Sequence, residues 1–421
     1  MIRFSARVDN LLRHEHEHNL LVARYKSSDQ YLNFGSAGDM HTLHITQHHL
    51  RLAPRALDSL LSACSAYPGY ISGSFDVEHS VVSFLQDKLH IAIEKNEVVL
   101  FRGVYDALTT FCTFKKESLV LVPEVLNAGQ VACFLSQGKE VRTVRQDESD
   151  MLALDDLEQI LLQEQGNIAF IYLNHNRGLG LSSEYIGQLV KLVNKYSVTL
   201  LYDADALFTV HKKTIDPLTI LRDIAVQERT QVMVLCNMSK ELGAPGLRLG
   251  FGITHPNMAA SVREFQDNSL CIFPTPSKYI AKLLLEHVSV SEIKKELENR
   301  MHMSVGMLRD LGWPITTPGF GINLFVPAPI SFCTYAKDVS AGELFSYYLL
   351  KYAGIRVRPA IIHGKKLRDL VRFVISLAEA DLHKVKRQMD EARVYYHMPY
   401  PENLERDYLE EVKARPYHHA E

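Results

Sequence analysis

What the sequence lacks narrows its function first. No apolar run reaches the roughly 18 residues needed to cross a bilayer. The opening MIRFSARVDNLLRHEHEH has no apolar stretch of the kind a secretory signal carries, so neither a membrane span nor export is expected. Basic residues are not in excess: 46 Lys and Arg stand against 49 Asp and Glu, a net charge of -3. A strongly cationic nucleic-acid surface is therefore not expected. The six cysteines (Cys64, Cys112, Cys133, Cys236, Cys271 and Cys333) are scattered, and no two form a CxxC pair. That usage suits free thiols in a reducing cytoplasm. Internal repeats and low-complexity tracts are missing too.

What is present is the balance of a soluble globular protein: 421 residues, 47% apolar and 23% charged, enough for two domains. From about residue 75 to 250, apolar runs alternate with amphipathic segments. VEHSVVSFLQDKLHIAIEK reads as a helix, VVLF as a buried strand, ALTTFCTF as a helix and SLVLVP as a strand. DLEQILLQ and EYIGQLVKLVNKY read as helices; NIAFIYL, VTLLYDAD and QVMVLCN read as strands. Near-continuous apolar strands separated by helices predict an α/β fold with a mainly parallel central sheet covered on both faces. Right-handed crossovers then bring the strand C-terminal ends to one edge, where ligands bind.

Beyond about residue 255 the texture changes. A long polar helix (SVSEIKKELENRMHMSVGMLRDLG), the strands INLFVPAP and VRFVISLA, and the helix HKVKRQMDEARVYY predict a smaller α+β domain. The expected division is an N-terminal segment 1–48 contributing to the small domain, a large domain 49–288, and the small domain 289–421. His14, His16 and His18 alternate with glutamates, and His418 and His419 close the chain. Both clusters lie near termini and are read as solvated rather than as metal sites. The charged tail PYPENLERDYLEEVKARPYHHAE is read as peripheral.

The residues that suggest chemistry fall just beyond the expected strands. Arg102-Gly103-Val104-Tyr105 follows VVLF, and a glycine at a strand-to-helix turn bares backbone N–H groups at the positive helix end, which suits a phosphate. Taken alone it also fits a plain tight turn. Asp203 ends VTLLYD, and by itself it fits an ordinary loop acid. After VMVLC come Asn237, Ser239 and Lys240, then, past a Gly-Pro turn, Arg248. A positioned lysine attacks aldehydes, an arginine with helix-terminal amides holds a phosphate dianion, and an aspartate pairs with a protonated pyridine nitrogen. Together these are the parts needed to bind pyridoxal phosphate as a Schiff base.

SKELGAPGLRLGFG, with GVYDAL upstream and VRFVISLA downstream, resembles the class I/II aminotransferases, fold type I pyridoxal-phosphate enzymes that include 1-aminocyclopropane-1-carboxylate synthase. The resemblance extends from YLNFGSAGDM near residue 31 to about residue 378. It implies Lys240 as the Schiff-base lysine, Arg248 and the Gly103-Val104-Tyr105 turn around the phosphate, and Asp203 on the pyridine nitrogen. It further implies Asn176 on the ring hydroxyl, with Ser239 beside the lysine, and Arg372 on the substrate α-carboxylate; Asn237, also a candidate for cofactor binding, stands where the family has serine or threonine. Tyr70 falls near a tyrosine that reaches the neighbouring subunit's phosphate, so a homodimer is expected, in the cytoplasm and acting on a small-molecule α-amino-acid substrate.

The chain also departs from the family pattern. The Asn-Pro-Thr-Gly loop reads Asn176-Arg177-Gly178-Leu179, the tyrosine three residues after the aspartate is Ala206, and the stacking aromatic is replaced by Leu126 or Asn127. Ser36, His175, Arg177, Asn127, Arg356 and Arg358 are candidates to line the substrate pocket. Three outcomes stay open: transamination, which is the family's commonest; elimination, replacement or ring closure; and a non-catalytic module that keeps the fold.

Overall fold

The computed structural model describes residues 6–26, 31–34, 76–175, 177–178, 182–204, 217–238, 248–269, 275–375 and 377–413. In chain order the strands are β1 (Leu32–Asn33), β2 (Val98–Phe101), β3 (Leu119–Pro123), β4 (Glu140–Val144), β5 (Ile168–Asn174) and β6 (Leu200–Asp203). They continue with β7 (Val232–Asn237), β8 (Gly250–Thr254), β9 (Asn323–Pro327), β10 (Ile355–Arg356), β11 (Arg358–Pro359) and β12 (Leu370–Val374).

Seven of them form one sheet in the order β2-β8-β7-β6-β5-β3-β4. The ladders from β7 through β6, β5 and β3 to β4 are parallel, as the apolar runs predict. β8 is the exception, antiparallel to both β7 and β2. The strand period of two sorts side chains between two cores. Val120, Phe170, Tyr172, Leu201 and Leu235 face one core, with Leu108, Phe111 and Phe134 from the covering helices. Leu121, Ile171, Leu173, Leu200 and Val234 face the other, with Val81, Leu157 and Leu189. Full burial of one such large side chain contributes about 2 kcal/mol. A one-residue slip would exchange the faces, so register is strongly specified.

This register brings three polar strand ends to one edge. Asn174 at the end of β5 lies opposite Asp203 at the end of β6, and Asp203 lies opposite Leu235, two residues before the end of β7. The helix expected over VEHSVVSFLQDKLHIAIEK stops early, at Leu89: His90 turns left-handed at φ 56 and its N–H closes onto the Leu85 carbonyl.

The C-terminal part carries the antiparallel sheet β11-β12-β9, while β1 pairs in parallel with β10. The helix Ala6–Tyr25 lies across the helices Ala341–Ala353 and Ala128–Ser136 and the turn Ala360–His363. Two expectations are corrected here. The histidines of that helix are not a solvated cluster: His18 is buried, and His14 Nδ1 meets Glu343 Oε1 at 2.5 Å. Glu343 also closes a capping box with Ser340, so His14 reinforces that helix start. The tail is not peripheral either. Helix Leu404–Lys413 buries Leu404 and Tyr408, one turn apart, and its Glu411 accepts hydrogen bonds from Tyr25 and Tyr347. An i, i+4 apolar pair inside a charged segment is enough to dock it. No helix among the described residues is long and apolar enough to cross a membrane.

Candidate active site

The site begins where β2 hands over to the helix Val104–Phe114. Gly103, at φ 83, starts that helix and offers no side chain to its first N–H groups. Across the β2–β8 ladder Gly250 approaches it so closely that a Cβ on Gly250 would lie 2.8 Å from Gly103 Cα. A Cβ on Gly103 would lie 2.9 Å from Arg248 Nη2. Two glycines thus let the strands touch and bring a guanidinium to the positive end of a helix. Arg248 itself sits at φ 51, a left-handed position that costs a non-glycine residue about 1–2 kcal/mol. Asp106, in the first turn, turns back to Arg102, accepting from its amide at 2.9 Å and from its guanidinium at 2.6 Å. The helix start therefore stays electropositive. It is a cradle for an anion, and its geometry fits the phosphate of pyridoxal phosphate.

Two strands along from β8, Asp203 is buried at 4% exposure. Tyr172 Oη donates to its Oδ2 at 2.5 Å, and Asn174 Nδ2 donates to the same oxygen at 3.0 Å. Behind them Gln130 Nε2 donates to the Tyr172 hydroxyl. Burial, with the Asp203 charge beside it, pushes the Tyr172 phenol well above its usual range, so the phenol keeps its proton as a donor. A buried carboxylate fed by neutral donors is the arrangement a cationic ring nitrogen requires.

Tyr105 ties the two ends together. Its hydroxyl is tucked against Gly129, where a Cβ would stand 2.7 Å away, although the residue as a whole is 42% exposed. Burial of the hydroxyl, then the neighbouring Cys133 and Asp203, push it up to about 12. Asn127, offered as a replacement for a stacking aromatic, caps the helix Ala128–Ser136 by accepting from Gly129 N at 2.9 Å. Leu126 is buried, and its N–H donates to the His363 carbonyl at 2.8 Å.

That contact fixes the position of Arg372. The His363 ring faces Arg372 Nη1 at 3.1 Å, so one residue links the loop after β3 to the guanidinium on β12. Arg372 is buried, and burial, then Arg358, make its charge costly. Arg358 stands directly opposite it across the β11–β12 ladder.

His175 is buried between the rings of Tyr202 (5.7 Å) and Phe320 (6.3 Å), and burial pushes it down to about 4. Arg177, a candidate pocket residue, is instead engaged by Asp150 at 3.0 Å. Gly178, at φ 62, is locked by the chain around Phe320: a Cβ there would fall 1.9 Å from the Phe320 carbonyl oxygen. Asn237 pairs across to Gly250. Lys240, Ser239, Asn176, Tyr70, Ser36 and Ala206 lie outside the described residues. Reading the sequence missed Tyr172, Gln130 and His363. The first of these carried no signal of its own in the sequence; only the strand register, which sets Asn174 opposite Asp203, marks it.

Comparison with known proteins agrees with this architecture. A family model described as aminotransferase class I and II matches residues 36–387. LL-diaminopimelate aminotransferase 2 of Nostoc sp. is 24% identical over 235 residues, covering 53% of this chain and 55% of the relative. The chain thus spans about half the length of this curated relative. Transaminase BacF of Bacillus subtilis is 22% identical over 318 residues, covering 73% of this chain and 76% of BacF. Among solved structures, substrate-bound BacF superimposes with a TM-score of 0.75 at 18% identity, covering 94% of this chain and all of that one. Aspartate aminotransferase from Thermotoga maritima gives 0.72 at 16% identity, covering 92% and 99%. The fold is that of the fold type I pyridoxal-phosphate aminotransferases, and the chain belongs to the class I and II aminotransferase family.

Proposed function

We propose that this protein is a pyridoxal-phosphate-dependent aminotransferase that acts on an α-amino acid. The observation that carries the reading is the pairing, at one sheet edge, of the Gly103–Arg248 anion cradle with the buried Asp203 carboxylate. Phosphate and pyridine nitrogen are the two ends of one cofactor. The amides of Val104 and Tyr105, Arg248 and Ser239 would hold the phosphate, and Asp203 the ring nitrogen. Asn176 and Asn237 would complete the ring's surroundings, and Lys240 follows the last residue of β7 by three positions. Bound there, the cofactor supplies an electron sink for charge developing on the substrate α-carbon.

The chain's own residues do the rest. Tyr172 and Asn174 keep Asp203 oriented as an acceptor. Lys240 would take the α-proton, since a neutral lysine amine is an effective general base. Arg372, steadied by His363, grips the α-carboxylate with a planar fork. We read the active unit as a homodimer in a reducing, cytoplasmic compartment, with Tyr70 a candidate for the contact that crosses between subunits.

The test is amino-group transfer. Purified protein with pyridoxal phosphate should convert an amino acid and an oxo-acid acceptor into the exchanged pair. Consumption of the amino acid without any need for an acceptor would point instead to elimination or ring closure.

A further inference from the structure

We propose that Arg177 is a positioning residue for the cofactor: its ion pair with Asp150 fixes the chain on one side of Asn176, at the place where the family's loop has a proline. The inference rests on the aminotransferase reading, with Asn176 at the ring hydroxyl, and concerns how this chain holds that residue in place.

A proline stiffens a loop because its ring locks φ. Arginine carries no such constraint, so the departure at residue 177 needs another source of rigidity. The described residues on either side of Asn176 supply it. His175 is wedged between the rings of Tyr202 and Phe320. The Gly178 N–H donates back to the His175 carbonyl at 3.2 Å, and the Gly178 carbonyl accepts from the Gly319 N–H at 2.8 Å. Between these anchors Arg177 Nη1 donates to Asp150 Oδ1 at 3.0 Å.

Asp150 is placed for that bond against its own preferences. Its neighbours Asp147 and Glu148 are exposed, yet Asp150 is 2% exposed and its Oδ2 has no hydrogen-bond partner. Its backbone stands at φ 62, a left-handed position that aspartate tolerates better than most residues. A buried ion pair adds little stability over apolar side chains of the same size, so stability alone does not account for this one. A geometric task does.

Gln146 shows what the pair is fastened to. It is buried as well, and its Nε2 donates to the Asp150 carbonyl at 2.6 Å while its Oε1 accepts from the Val125 N–H at 2.7 Å. The next residue, Leu126, donates its N–H to the carbonyl of His363, whose ring faces Arg372. One hydrogen-bonded frame thus joins the loop after β3, the residues beside Asn176 and the carboxylate clamp. The Arg177–Asp150 bond is the link that ties the Asn176 end to it.

The experiment titrates the visible absorbance of the cofactor-loaded protein with pH. A donor on the ring hydroxyl favours its ionised form, so loosening Asn176 raises the midpoint. Asn176→Ala sets the full shift. Arg177→Gln and Asp150→Asn should each raise the midpoint by about half of that shift or more. Asparagine keeps the shape of Asp150 and tolerates its left-handed backbone. Because the two residues act through one bond, the double variant should shift no further than either single one. Arg177→Lys, which keeps the charge, should recover most of the wild-type midpoint.

An unmoved midpoint in Arg177→Gln, even with a lower melting temperature, makes the pair structural and overturns the proposal. A double variant whose shift is the sum of the two singles overturns it as well. Should Arg177→Gln fail to fold, an unmoved midpoint in Asp150→Asn overturns it equally. An unmoved midpoint in Asn176→Ala would remove the ring-hydroxyl assignment and this proposal with it. The aminotransferase reading would stand through any of these results, since amino-group transfer tests it separately.

Discussion

Gly103 and Arg248 leave no room between them: a Cβ on the glycine would stand 2.9 Å from the guanidinium, at a backbone φ of 83. In Gly103→Ala the methyl meets the far end of a flexible side chain, so the arginine swings aside while the strands stay paired. The left-handed backbone adds about 1–2 kcal/mol of strain. We expect affinity for pyridoxal phosphate to fall at least tenfold, read by absorbance titration, while the melting temperature drops by only a few degrees. Unchanged affinity would mean that the cradle holds no phosphate.

Tyr172 tests the other end. Its 2.5 Å hydrogen bond to Asp203 is charge-assisted, a class that contributes about 1.5–3 kcal/mol. Tyr172→Phe also strands Gln130 Nε2, so stability should fall together with activity. If Asp203 serves the ring nitrogen, kcat/KM should drop roughly 10- to 100-fold. A loss of stability with kcat/KM intact would make the network structural only.

Much of this was legible in the sequence. The strands could be read because parallel, doubly covered strands are apolar at every position, as VMVLC shows. Gly103, Asp203, Arg248 and Arg372 could be read because each follows or sits in a recognisable run. Tyr172 could not, since in NIAFIYL it looks like one more apolar residue until the register sets Asn174 opposite Asp203. Glu15 stayed hidden for a related reason. Its partner Arg358 lies 343 residues away in the chain, and local periodicity carries no long-range pairing. The tail hid its docking stripe, Leu404 and Tyr408, among charges.

Acid should weaken the fold in a defined window. His175 in the folded protein is pushed down to about 4 from an ordinary 6.5, by burial. Between those values the unfolded chain binds a proton that the folded chain refuses, so stability is lost as pH falls through 6.5 toward 4. At pH 5 the loss from His175 alone is about 2 kcal/mol. His18 acts in the same direction. His175→Phe, which suits the Tyr202 and Phe320 rings around it, should flatten the acid side of a urea-midpoint profile. A profile as steep as wild type would assign the acid sensitivity to other groups.

The most direct measurement is chemical. Protein loaded with pyridoxal phosphate is reduced with borohydride, digested, and the labelled peptide is sequenced. The label should fall on Lys240, within SKELGAPGLRLG, and Lys240→Ala should take none while losing turnover. Label on any other lysine, or none at all, would contradict the cofactor assignment and with it the proposed aminotransferase chemistry.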